Sequence, residues 1–245
     1  LLLICDHASN YIPPTYQKLG LTADQLKEHI AWDIGAAEIT LQISKILDSV
    51  AILSGISRLI VDANRDPSDQ KATPEISDNI AITGNKDLTK TNRENRLKRY
   101  FWPYHNAIKK QIDYFEEKLD PYNNIPIIFS IHTFTQVMSS VDVKKRPWDV
   151  GVLWNRDPRV ADILLKELTK HKDNLIVGDN QPYSGKEFYY TLDYHAGSCG
   201  IPHCAIEIRQ DLVNTPEGIN YWATLVSKIL NNIIDNLKIH KIVQY

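Results

Sequence analysis

Cysteine is scarce and unpatterned in this sequence: Cys5, Cys199 and Cys204 are the 3 among 245 residues. The number is odd, and no two are spaced as CxxC, so a disulfide framework is not expected. A reducing cytoplasm fits that usage best. An excess of one charge is also missing. The net charge is −2 with 24% charged residues, which gives no basic surface for nucleic acid or an anionic membrane. No apolar run approaches the ~20 residues that span a bilayer. Leu1–Cys5 is too short for a signal-peptide core and lacks a basic lead-in. There is no internal repeat and no low-complexity linker. What is present is 43% hydrophobic residues, enough for the core of one compact α/β domain over 1–245.

Three apolar runs stand out. Leu1 to Cys5 leads into Asp6, His7 and Ser9; Ile125 to His132 reads IPIIFSIH; Ile201 to Arg209 reads IPHCAIEIR. Short continuous apolar runs suit strands buried on both faces of a parallel sheet, although periodicity alone does not exclude a helix. Each run delivers polar residues at or near its C-terminal end, where ligands bind in open α/β sheets.

Between the runs, helix and strand patterns alternate. Tyr11-Ile12-Pro13-Pro14 reads as a loop. Thr22 and Gln25 have capping-box spacing at a helix start. Ala36 to Leu47 carries an apolar stripe of helical period. Ala51–Leu53 and Ser57–Val61 read as short strands. Pro67 to Asn92 is polar and reads as a long active-site loop. Thr91 to Leu119 reads as a long helix, interrupted or kinked near Pro103. Val137 to Pro147 reads as a polar loop, Val150–Leu153 as a strand, and Pro158 to Lys170 as a helix with Asp157 as N-cap. Leu175–Val177 reads as a strand, Gly178 to Gly200 as a second loop over the site, and Thr215 to Leu237 as a closing amphipathic helix capped by Thr215. The alternation predicts a three-layer α/β/α architecture with a mostly parallel central sheet.

Several side chains have the chemistry of a hydrolase site. His7 and His132 each follow or end an apolar run. Two imidazoles at strand ends suit a metal, and each alone also suits a hydrogen-bonded loop histidine. Asp33, in Ala31-Trp32-Asp33-Ile34-Gly35, is a candidate third ligand and equally a helix N-cap. Asp6 competes for the ligand role or orients a histidine from behind. Glu207 shares a face with Arg209 by strand alternation. The pair reads either as an ion pair on a wet face or, in a central strand, as a carboxylate kept for function. A glutamate there could take a proton from an attacking water and pass it to a leaving amine. Arg58, Asn64 and Arg65 could hold an acidic substrate, or could brace the loop by pairing with Asp62, Asp66 or Asp69. His105 reads as packing in a helix, His195 as a loop residue able to approach the site, and His203 as the start of the Glu207 strand.

The words CDHASNYIP, AWDIGA, SRLIVDANR, PYH (Pro103 to His105), SIHTFT, DVGVLWNRD, QPYSG and GIPHCAIEIRQDL occur in order from Cys5 to Leu212. With them the chain resembles the N-formylglutamate amidohydrolase family. The resemblance implies a phosphorylase/hydrolase-like fold of the zinc-carboxypeptidase and aspartoacylase kind. It implies a Zn2+-dependent hydrolase of small N-acyl amino acids. His7 and His132 match the metal histidines, Glu207 the catalytic glutamate, and Asn64-Arg65 the carboxylate-binding pair, with Arg58 as a partner. Asn10 stands where the carboxypeptidase-like pattern has a glutamate ligand. Asp33 stands where members nearer the deformylase carry histidine, and it is taken as the third metal ligand. His195 is taken as an additional substrate contact.

Overall fold

The run at the amino terminus forms β1 (Leu2–Cys5), buried along its whole length. It lies in a six-stranded sheet with β2 (Val50–Leu53), β5 (Ile128–Phe134), β6 (Val150–Leu153), β7 (Val177–Asp179) and β8 (His203–Arg209). The order across the sheet is β2-β1-β5-β8-β6-β7. Every neighbouring pair is parallel except β8 with β6. The structure is a computed structural model and describes residues 1–118, 125–138, 145–171 and 173–245.

Side chains alternate across a strand, so each strand serves two layers. One face presents Leu3, Phe129, Ile131, Val152 and Ile206 to α1 (Ala36–Leu47), α4 (Arg159–Thr169) and α6 (Pro216–Ile234). The other presents Leu2, Ile4, Ile128, Leu153 and Ala205 to α3 (Trp102–Lys118) and α5 (Tyr190–His195). Along this second face the same alternation continues to Asp6, Ser130, His132 and Glu207, all buried. The layer is apolar at the amino ends of its strands and polar at their carboxyl ends. A third apolar cluster, with Leu19, Ile30, Leu59, Ile60, Ile82 and Phe101, packs the excursion that walls this polar end. Among the described residues no helix is long and apolar enough to cross a membrane.

The expected helices at Ala36–Leu47 and after Asp157 and Thr215 form, and Thr215 caps α6 by accepting from the Gly218 N–H. Other expectations need correction. Ser57 to Val61 is a run of turns, not a strand. The Ser57 hydroxyl donates to the Ala31 carbonyl and accepts from the Leu59 N–H, drawing the backbone out of a ladder. Thr22 and Gln25 do make the reciprocal capping bonds, but these open only the short 3₁₀ turn Gln25–Lys27. The segment 67–92 is not a bare loop: it holds the hairpin β3 (Ile76–Ser77) and β4 (Ile80–Ala81) and the start of α2 (Lys90–Arg96). A π-helical stretch, Leu97–Phe101, joins α2 to α3 just before Pro103, whose missing N–H breaks the regular ladder. The segment 178–200 contains α5. The helix end at Leu119 and the middle of the Val137–Pro147 loop lie outside the described residues.

Candidate active site

Two turns bring the acidic residues under the sheet edge. The Asp33 N–H donates to the His7 carbonyl at 2.9 Å, tying the Trp32-Asp33 segment to the end of β1. Gly35 then caps α1 with φ +83°. A Cβ there would sit 2.8 Å from Val213 Cγ2 and 2.9 Å from its carbonyl oxygen. Only glycine suits both the backbone and the space. Because Gly35 is the cap, the Asp33 carboxylate is not spent on the helix. It turns inward.

His7 Nδ1 lies 3.3 Å and His132 Nδ1 2.8 Å from the same oxygen, Asp33 Oδ2. Ligand atoms of His7, Asp33 and His132 lie within 4.8 Å of one another, and all three residues are buried. The far nitrogens are held as well. His7 Nε2 lies 2.7 Å from Asp62 Oδ1, and His132 Nε2 lies 3.2 Å from Asp6 Oδ2 and 3.0 Å from Ser130 Oγ. Tyr104 donates its hydroxyl to Asp6. Each imidazole is thus backed by a carboxylate, the usual support for a metal-ligating histidine. Asn10, the alternative ligand position, donates instead to the Leu26 carbonyl.

The electrostatics demand positive charge. Burial opposes charge on His132, but hydrogen bonds to Asp33 and Asp6 outweigh it and hold its pKa well above the ordinary value. Burial likewise opposes the carboxylate of Asp33, yet the His7 charge and the histidine hydrogen bonds keep it far below the usual range. Glu207 differs. Burial pushes it up to about 7 despite the nearby His132 charge. Its Oε2 is buried with no hydrogen-bond partner among the described residues. Four buried carboxylates (Asp6, Asp33, Asp62, Glu207) surround the two histidines, with Arg58 and Arg65 beside them. Two imidazoles and one carboxylate, with ligand atoms this close together and buried, are a donor set that fits a divalent cation such as Zn2+.

Glu207 is the register partner of His132 on β5 and of Gly151 on β6. Both it and the cluster open into a cavity of about 440 Å³. Arg58, Asn64 and Arg65 line the same cavity. Arg58 spans Asp33 Oδ1 (3.3 Å) and Asp62 Oδ2 (3.1 Å). Arg65 Nε stands 3.6 Å from Asp62, with its guanidinium over the Phe188 ring. Asn64 accepts from the Thr191 N–H through Oδ1, which leaves its amide donors.

His195 does not line this cavity. Its Nε2 bonds His105 Nδ1 at 2.9 Å, and His105 Nε2 reaches the Ala63 carbonyl, which Thr191 Oγ1 also contacts. The histidine pair braces the Asp62-Ala63-Asn64 turn from behind. His203 bonds the Ile201 carbonyl, away from the cluster. Arg209 pairs with Asp149 and Asp211, so it is not the ion partner of Glu207. In the sequence Asp62 reads only as a brace for the arginines, and Ser130, Tyr104 and Tyr183 have no motif of their own. Polar residues interrupting buried runs, such as Ser130 in IIFSIH, were the available signal.

A family model described as N-formylglutamate amidohydrolase matches residues 1–214. The solved structure of gene product Atu2144 from Agrobacterium tumefaciens is 30% identical, with a TM-score of 0.89, covering 97% of this chain and 91% of that one. An N-formylglutamate amidohydrolase from Ralstonia eutropha JMP134 shares the fold at 15% identity, with a TM-score of 0.60 over 97% of this chain and 93% of that one. A comparison with curated proteins finds no match.

Proposed function

The chain belongs to the N-formylglutamate amidohydrolase family, and from that premise we propose that it hydrolyses the amide bond of a small N-acyl amino acid. The substrate we assign is N-formyl-L-glutamate, giving formate and L-glutamate. One observation carries the reading: His7, Asp33 and His132 converge beside a buried carboxylate whose Oε2 has no partner among the described residues.

His7 and His132 through Nδ1, with Asp33 through Oδ2, would hold the Zn2+. When bound, the ion polarises the acyl carbonyl and acidifies water. The remaining steps belong to the chain. Asn64 and Arg65, with Arg58, hold the amino-acid carboxylate and fix the amide over Glu207. Arginine's fork of donors suits this, since Arg58 spends only part of its set on Asp33 and Asp62. Glu207 takes a proton from the attacking water onto Oε2 as the new C–O bond forms. It then gives that proton to the amine nitrogen as the C–N bond breaks. A carboxyl poised near 7 is matched to both transfers.

A peptidase or cell-wall amidase on the same site would need a groove for an extended chain. A cavity of about 440 Å³ has the size for a single amino-acid derivative. The test is a hydrolysis screen over N-formyl, N-acetyl and N-succinyl amino acids with zinc determined in parallel. Glu207→Gln should lower turnover about a hundredfold or more while zinc stays bound. Unchanged turnover removes Glu207 from the mechanism, and a protein that takes up no metal is a binding protein instead.

A further inference from the structure

Tyr183 is a hydroxyl-bearing residue of the cavity wall that the mechanism leaves unused. Its position is prepared by Gly151, the β6 neighbour of Glu207. A Cβ at Gly151 would come within 2.0 Å of the Gln181 carbonyl oxygen. The missing side chain lets the Gln181-Pro182-Tyr183 segment lie directly on the strand beside the glutamate. Tyr183 there feels the Glu207 charge.

Arg146, anchored to the end of β5 through the Thr135 carbonyl, donates from Nη1 to the Tyr183 hydroxyl oxygen at 2.9 Å. Arginine has no acceptor, so the direction of this bond is fixed: the tyrosine oxygen accepts. Its own O–H is thereby free to donate elsewhere, and Tyr183 is one of the residues that line the cavity. A guanidinium on the oxygen also polarises the O–H and makes it a stronger donor.

We propose that Tyr183 is a catalytic residue that donates its hydrogen bond to the oxygen of the scissile carbonyl as negative charge develops there, with Arg146 as its positioning residue. The role rests on the amidohydrolase reading above. A donor aimed at charge that exists only in the transition state lowers kcat far more than it raises KM when removed.

The experiment is steady-state kinetics of Tyr183→Phe, Arg146→Met and the double variant on N-formyl-L-glutamate. Zinc content and melting temperature are measured for each, with wild type and Glu207→Gln alongside. Tyr183→Phe should lose about a hundredfold in kcat with KM within about threefold, a loss of the size seen for single oxyanion donors. Arg146→Met should lose part of that, and nothing further once Tyr183 is Phe, because the two act as one unit. Wild-type kcat in Tyr183→Phe, a loss confined to KM, or losses that multiply in the double variant overturn the proposal. If Tyr183→Phe does not fold, the kcat-against-KM split of Arg146→Met decides alone. An active wild type with a dead Glu207→Gln and an unimpaired Tyr183→Phe sinks this inference only. A wild type inactive on every N-acyl amino acid sinks the reading beneath it as well.

Discussion

His7 Nε2 stands 2.7 Å from Asp62 Oδ1, on the edge of the ring opposite the one that faces Asp33. The contact fixes the ring plane and leaves Nδ1 as the ligand atom. It also links the metal cluster to the substrate wall, because Asp62 takes the Asn64 N–H and the Arg58 guanidinium as well.

Asp62→Asn should therefore weaken zinc binding about 10- to 100-fold, the usual effect of losing a carboxylate behind a ligating histidine. Competition against a chromophoric chelator measures it. Wild-type affinity would show that the ring is oriented by other means.

Zinc itself should stabilise the fold. A ligand that binds only the native state adds about 2.7 kcal/mol at a hundredfold excess over its dissociation constant. Melting temperature should rise on adding zinc to chelator-treated protein and should not rise in Asp33→Ala. Equal rises in both would place the ion elsewhere.

Much of this site could be read from the chain because it sits on strands. Leu1–Cys5, IPIIFSIH and IPHCAIEIR each form a buried strand of one sheet, and parallel register makes His132 and Glu207 neighbours. Asp33 was harder to read. Its spacing before a helix is that of an N-cap, and only Gly35 at positive φ frees it for the cluster. The turns at 57–61 were not legible at all. Buried apolar residues there pack a third cluster rather than a sheet face, and periodicity cannot tell the two apart over five residues. His195 looked close in sequence terms to a loop over the site. α5 instead turns it toward His105, a tertiary contact no local pattern encodes.

Arg65 offers a separation of binding from chemistry. It lines the cavity, stacks on Phe188 and only loosely pairs with Asp62. Arg65→Ala should raise KM for N-formyl-L-glutamate about tenfold or more, the worth of a charge-assisted hydrogen bond, with kcat and zinc content little changed. A fall in kcat at constant KM would assign it to the reacting centre instead.

The His105–His195 pair gives the fold a pH dependence of definite sign. Their rings lie 5.1 Å apart and nearly parallel, sharing one hydrogen bond between Nδ1 and Nε2. One nitrogen must donate and the other accept, so the bond requires a neutral acceptor ring. Burial is the main cause that depresses His195 to about 4. The unfolded chain holds that proton up to the ordinary value of ~6.5. Between about 4 and 6.5 the unfolded state therefore binds more protons at this residue, and its share of stability grows as pH rises through that window. Glu207 contributes with the opposite sign, since its native value is raised and its share is lost as pH rises toward 7. The total slope is thus a difference, and the clean quantity is wild type minus His195→Gln. Glutamine supplies an N–H for His105 without titrating. Melting curves at pH 4.5 and 6.5 should show the variant losing less stability on acidification than wild type. The gap should be at most about 3 kcal/mol, from a shift of about 2.5 units at 1.36 kcal/mol each. Parallel pH profiles for the two proteins would mean that His195 titrates normally in the folded protein.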